Sequence, residues 1–230
     1  MVVDNFEQIG KLLEFTDKDD FYFLQIIQRK KDGIQVPSAN NGYRTIKTYY
    51  IRSHEDFERR KEAIIQLCEQ NTARAYINLN VRSAKEVALT AAKAYIDLVR
   101  EDRCEQGHRV YDHACGVTPK MKIKKKWIVD VDDLTVEQVD TIVNKINHCR
   151  SAFKVTDMRY LENLSEDLYD NVICRIPTVH GVHLITHGFD VGRFKLLLEQ
   201  TLPFHLEPEQ IKEICTVKKD NPTLLYFKQV

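Results

Sequence analysis

Two short stretches of the chain carry residues whose types and spacing could do chemistry. The first is Trp127-Ile128-Val129-Asp130-Val131-Asp132-Asp133. On a strand, a period of two aims Asp130 and Asp132 to one face with Ile128, and Trp127, Val129 and Val131 to the other. Two carboxylates roughly 7 Å apart repel unless positive charge lies between them. A hard dication, Mg²⁺ or Mn²⁺, suits such oxygen ligands. The structural alternative is a strand end where the aspartates meet solvent and lead into a helix cap. Asp133 points away and starts the turn. The second stretch is Pro177-Thr178-Val179-His180-Gly181-Val182-His183-Leu184-Ile185-Thr186. His183 shares a strand face with Ile185. Gly181 lets a backbone or a ligand come close. An imidazole can donate to phosphate or ligate a metal, and the Thr178 hydroxyl can donate to the same phosphate. The structural alternative for His183 is a half-exposed strand histidine bonded to a backbone carbonyl.

Further polar groups cluster in Ala73-Arg74-Ala75-Tyr76-Ile77-Asn78-Leu79-Asn80-Val81-Arg82-Ser83. Arg74, Tyr76, Asn78 and Asn80 fall on one strand face, and Arg82, Ser83 and Lys85 stand at its exit. Long donors beside a helix N-terminus suit phosphate, which makes Arg74, Asn78 and Arg82 candidate nucleotide or nucleic-acid contacts; a polar sheet face with a capped helix is the alternative. Tyr111 and Asp112 are placed near the site only loosely. Cys104, His108, His113 and Cys115 have the residue types of a zinc knuckle, but their spacing is not a familiar ligand pattern, so separate thiols and surface histidines are expected.

The elements that must position these residues follow from periodicity. Residues 20–30 and 46–53 read as strands, 54–71 as a helix, 73–81 as a strand, and 84–102 as a helix capped by Ser83. Residues 104–125 read as an irregular polar insertion. From about 126 the order is strand, helix, strand, strand, helix, strand, the order of a split βαβ domain, with Thr135 and Gln138 forming a capping box. Residues 153–163 fit neither template, and 32–45 read as a loop by composition. The class is α+β with a mixed sheet. The organisation expected is one catalytic domain over 1–230, with an N-terminal α/β part (1–103), the insertion (104–125) and an RRM-like part carrying the motifs (126–230).

Composition narrows the classes. The chain has 230 residues, 43% hydrophobic and 30% charged, so a packed core is expected rather than disorder. Basic and acidic residues number 34 each, which leaves no net charge to attract nucleic acid; any such contact needs a local patch. The lysines at 120–126 are as consistent with a solvated strand lead-in as with phosphate contacts. No apolar run approaches about 18 residues, so no membrane helix is expected. Acids stand early in the sequence where a secretory leader would be basic, which points to a cytoplasmic protein whose six cysteines are thiols.

Taken together, an Asp-x-Asp strand, a helix and a hairpin with Thr178-x-x-Gly181-x-His183-Leu184-Ile185 resemble the first two motifs of the archaeo-eukaryotic primase (primase-polymerase) family, in its small stand-alone phage or mobile-element form. The resemblance covers roughly residues 70–230. It implies a metal-dependent nucleotidyltransferase that joins nucleoside triphosphates on a single-stranded DNA or RNA template. Asp130 and Asp132 would hold two Mg²⁺ or Mn²⁺ ions, and Asp220 would be the third acid. His183, with Thr178 and Gly181, would bind the triphosphate. A replication partner such as a helicase is implied, and no membrane. The sequence departs from the family's pattern in having no arginine soon after Asp220. A nuclease or phosphoesterase using the same carboxylates, and a non-catalytic nucleic-acid or replisome-binding module, are the alternative readings.

Overall fold

The computed structural model describes residues 1–34, 42–120, 124–149, 170–201 and 215–229. The class is α+β, with antiparallel strand pairing in both sheets. The chain forms two compact units, one of residues 1–123 with 222–230 and one of residues 124–221.

The first unit is built on a sheet in the order β1 (Val2–Asp4), β10 (Pro222–Lys228), β4 (Arg74–Asn78), β2 (Asp20–Arg29) and β3 (Tyr43–Ile51), with β5 (Arg82–Ser83) paired to the start of β2. Aromatic and β-branched residues make β2 a strand, and both its faces are buried. Phe21 and Phe23 pack with Val87, Ala114 and Cys115 of α3 (Ala84–Arg100) and α4 (Val110–Val117). Tyr22, Leu24 and Ile26 alternate with them and are also buried. α1 (Phe6–Gly10) and α2 (His54–Asn71) pack together through Phe6 and Phe57, with ring centroids 5.3 Å apart. Ser53 caps α2 by accepting from the Asp56 N–H, and Ser83 caps α3 by accepting from the Glu86 N–H.

Two expectations about organisation are corrected. Residues 104–117 are helical, a 3₁₀ segment followed by α4, where an irregular insertion was expected. Burial of Val110, Ala114 and Cys115 along one side fixes that short helix, which weak local propensity does not announce. The last strand, expected to close the RRM-like part, instead lies between β1 and β4 in the first sheet. Thr223 to Phe227 are all buried, as an inner strand covered on both faces requires. The ambiguous stretch 153–163 and most of the loop expected at 32–45 lie outside the described residues.

The second unit runs β6 (Trp127–Asp132), α5 (Val136–Asn147), β7 (Val172–Pro177), β8 (Gly181–Thr186), α6 (Val191–Thr201) and β9 (Cys215–Lys218). The sheet order β7-β8-β6-β9 is the split βαβ arrangement expected from the element order. Thr135 and Gln138 form the expected capping box, and Asp133, at φ 55°, makes the turn before it. The Asn171 amide donates to the carbonyls of Ile146 and Cys149, tying the start of β7 to the end of α5. One sheet face contributes Val129, Val131 and Leu184 to a core with Val139, Ile142 and Ile146 of α5 and Phe194 and Leu198 of α6. The opposite face carries the candidate site.

Register across that face is set at Gly181, which stands opposite Asp132. A Cβ on Gly181 would lie 2.0 Å from the Val131 carbonyl oxygen and 2.8 Å from the Asp132 Cα. Both are backbone atoms that cannot swing aside, so glycine is required here for strand approach. Gly181→Ala is expected to destabilise the protein by roughly 2–3 kcal/mol in urea unfolding, because β8 must move off β6. A change within about 0.5 kcal/mol, as at an unconstrained surface position, would contradict this pairing.

Candidate functional site

β6 is an inner strand, so Asp130 has neighbours on both sides: His183 of β8 and Thr216 of β9. The sequence pattern places Ile128, Asp130 and Asp132 on one face, and the core on the other face agrees. His183 Nε2 lies 3.0 Å from Asp130 Oδ1, with side-chain exposures of 11% and 18%. Lys218, two residues beyond Thr216 on the same face of β9, donates from Nζ to Asp130 Oδ2. Both carboxylate oxygens are therefore held by nitrogen donors. Ile128, Ile176 and Ile185 surround the group on this face and are buried.

The electrostatics of the two aspartates diverge. Burial alone would raise the Asp130 pKa, but hydrogen bonds from His183 and Lys218 outweigh it and hold the group at about 2. Burial and the neighbouring Asp130 charge push Asp132 above the ordinary carboxylate range. An anion that is disfavoured beside a second anion is a place where added positive charge is stabilising. Carboxylate oxygen is the ligand type a hard dication takes, and in this structure Lys218 and His183 hold both oxygens of Asp130.

The other predicted residues divide sharply. The Thr178 hydroxyl oxygen accepts from the Gly181 N–H at 3.1 Å, and the Thr178 N–H donates to the Gly181 carbonyl at 2.9 Å, so this threonine closes the β7–β8 hairpin. Asp220 lies in the bend after β9. Asp130, Asp132 and Asp220 do not gather into one ligand set: among the described residues, the carboxylates whose oxygens all fall within 4.8 Å of one another are Asp17, Asp19 and Asp20. That trio, which the sequence reading passed over, has oxygens that could hold a cation, but Lys120 Nζ already donates to Asp17 and Asp20 and the Ser83 hydroxyl donates to Asp19. Asp20 also accepts from the Thr16 and Asp17 N–H groups, so the trio anchors the start of β2.

Arg74, Asn78 and Arg82 belong to the first unit, and both arginines serve its packing. Arg74 forks onto the Asp32 carboxylate and lies 4.3 Å above the Phe227 ring. Arg82 is fully buried; its Nε donates to the Cys115 carbonyl at 2.7 Å and an Nη donates to Gly116, so it satisfies the C-terminal carbonyls of α4. Asn78 is buried at the end of β4, opposite Pro222. Asp112 accepts from the Thr48 and Tyr50 hydroxyls, tying α4 to β3, and Tyr111 meets Tyr50 edge-on. Cys115 is in the core under α4, its thiol pushed up to about 12 by burial, while His113 is exposed on the same helix and Cys104 is exposed on the 3₁₀ segment.

Lys218 is the residue that sequence reasoning missed. Alternation along β9 puts it on the face of Thr216, and its meeting with Asp130 depends on the β6–β9 register, which the local pattern does not carry. Among the described residues no helix is long and apolar enough to cross a membrane. Comparison with protein-family models, with curated proteins and with solved structures finds no match to the chain.

Two outcomes follow from this geometry. Arg82→Ala is expected to lower stability by about 3 kcal/mol in urea, because buried helix-end carbonyls lose charged donors; a surface ligand role would leave the midpoint almost unchanged. For Asp130, the folded pKa of about 2 lies below the unfolded value of about 3.9, so its stabilisation is full above about pH 4 and is lost as pH falls toward 2. In EDTA, Asp130→Asn should be about 2–3 kcal/mol less stable than wild type at pH 7, from a shift of nearly two units at 1.36 kcal/mol each. The gap should close as the pH approaches 2. A constant difference across that range would show that Asp130 is not held in this way.

Proposed function

We propose that the second unit is a metal-dependent phosphoryl-transfer centre of the primase-polymerase kind, joining nucleoside triphosphates on a single-stranded template. The observation that carries this reading is the cross-strand neighbourhood of Asp130, Asp132 and His183 on one face of a split βαβ sheet. Asp130 and Asp132 would hold Mg²⁺ or Mn²⁺, which would supply charge neutralisation for the attacking and leaving oxygens. His183 would orient an Asp130 oxygen and would offer imidazole to a phosphate once Asp130 turned toward a cation. Lys218 is a positive group at the same carboxylate. Asp220 enters this reading only by its place in the chain order. A strand-shortening nuclease is a different use of the same carboxylates.

A second reading has its own support. Asp130 is already paired with Lys218 and hydrogen-bonded by His183, as in a structural polar network. Under that reading the sheet is a binding scaffold without catalysis.

An extension assay separates the readings. Labelled nucleoside triphosphates, a mixed single-stranded template with and without primer, and Mg²⁺ or Mn²⁺ should give lengthened products that vanish in Asp130→Ala/Asp132→Ala. Mn²⁺ should also raise the Tm of wild type and leave that of the double variant unchanged, since only a ligand bound to the folded state stabilises it. Shortened strands would favour the nuclease. No product, with no heat of nucleotide binding in calorimetry, would leave the scaffold reading in place and defeat the enzymatic ones.

A further inference from the structure

The first unit carries a charged cleft that none of the predicted site residues lines. It has a volume of about 480 Å³ and lies where the outer strand β3 runs into α2. Lys47, Arg52, Arg59 and Arg60 line it against a single carboxylate, Asp56, a local net of +3 on a chain whose overall charge is zero. Asp56 is buried and accepts from Arg59, from Arg60 and from the Arg52 N–H, so it acts as a fixed anchor for the cations around it. The Arg59 side chain keeps 72% exposure and Arg60 keeps 35%, which leaves guanidinium donors directed to solvent. Arg60 also stacks 5.3 Å over the Tyr49 ring. Farther along β3, Tyr43 and Arg44 are exposed and continue the basic and aromatic edge.

We infer that this cleft grips the phosphate backbone of single-stranded nucleic acid. Forked guanidiniums match phosphate oxygens two at a time. The cations are strung out and not gathered on one point: Lys47 and Arg52 are five residues apart, about 17 Å along an extended chain. That span is longer than the phosphate chain of one nucleotide, and consecutive phosphates of a single strand can line it. A groove of cations edged by tyrosine is the composition that follows a flexible strand. A membrane surface fits less well, because the cleft lining brings no exposed aliphatic side chain to enter the lipid. The inference is independent of the proposed chemistry in the second unit, since it needs neither metal nor nucleotide.

The test is fluorescence anisotropy of the full chain with a labelled oligothymidylate of about 20 nucleotides, in EDTA and over a salt series. Wild type should bind at low salt. Arg52→Ala/Arg59→Ala should bind at least about 10-fold more weakly, and its slope of log affinity against log salt should be shallower by about 1.4, the loss of two contacts at 0.7 each. Lys47→Ala should make the slope shallower by about 0.7, and it serves as the probe if the double variant's urea midpoint shows that it has not folded. Asp130→Ala/Asp132→Ala should bind the oligonucleotide as wild type does, which separates this site from the second unit's. The inference is overturned by unchanged affinity and slope in the cleft variants, by loss of binding only in the aspartate variant, or by an absence of wild-type binding at low salt. Equal or tighter wild-type binding to polyglutamate or to phosphatidylserine vesicles would overturn it too, marking the cleft as the seat of an acidic peptide or a membrane.

Discussion

A charge taken out of water must find its partner inside the protein, and in this chain that requirement ties together elements distant in sequence. Asp130 sits in an inner strand with isoleucines around it, and it stays ionised because an imidazole and an ammonium hold its two oxygens. The Arg74 fork on Asp32, the Arg82 guanidinium under the end of α4, and the Lys120 ammonium over Asp17 and Asp20 answer the same demand in the first unit. Removing one member of such a set leaves the other buried and unmatched, so each works as a fastener between elements distant in sequence. Arg74 joins β4 to the turn after β2, and Arg82 joins β5 to α4.

This constraint decides which polar residues remain for chemistry. A buried arginine whose donors go to carbonyls or to a carboxylate at ion-pair distance has no geometry left for an incoming phosphate. Arg74 and Arg82 are in that position, and Thr178 spends its oxygen on a hairpin turn. Asp132 is the opposite case. Its charge is disfavoured by burial and by Asp130, so it stands as a site where a cation would be favourable. Asp130 is intermediate: it is charge-matched, but by Lys218, a flexible group that a metal ion could displace.

What was legible in the sequence was whatever depends on neighbours within a few residues. A period of two gave the faces of β6 and β8, and Ser83 and Thr135 with Gln138 marked helix starts through hydrogen bonds three residues long. The strand-helix-strand-strand-helix-strand order was enough for the topology of the second sheet. The contacts that settled the site are long-range. Lys218 reaches Asp130 across 88 positions, and Arg74 reaches Asp32 across 42. Nothing local distinguishes an arginine that will bond a helix end from one that will face solvent. The destination of β10 was hidden for the same reason: "TLLYF" reads as a strand wherever it goes, and its pairing with β1 and β4 is settled only when both have formed.

The zero net charge points the same way when it is resolved in space. At physiological salt, exposed charges more than about 8 Å apart are largely screened, so a distant surplus of acid does little to cancel a local surplus of base. Asp56 shows how that surplus is kept in place. Without a buried anion, three arginines and a lysine around one cleft would repel and swing apart. With it, two guanidiniums are oriented, and the remaining donors stay at the rim. The single carboxylate in the cleft therefore reduces the net charge and at the same time makes the positive charge directional, which is the property that recognition of a phosphate chain needs.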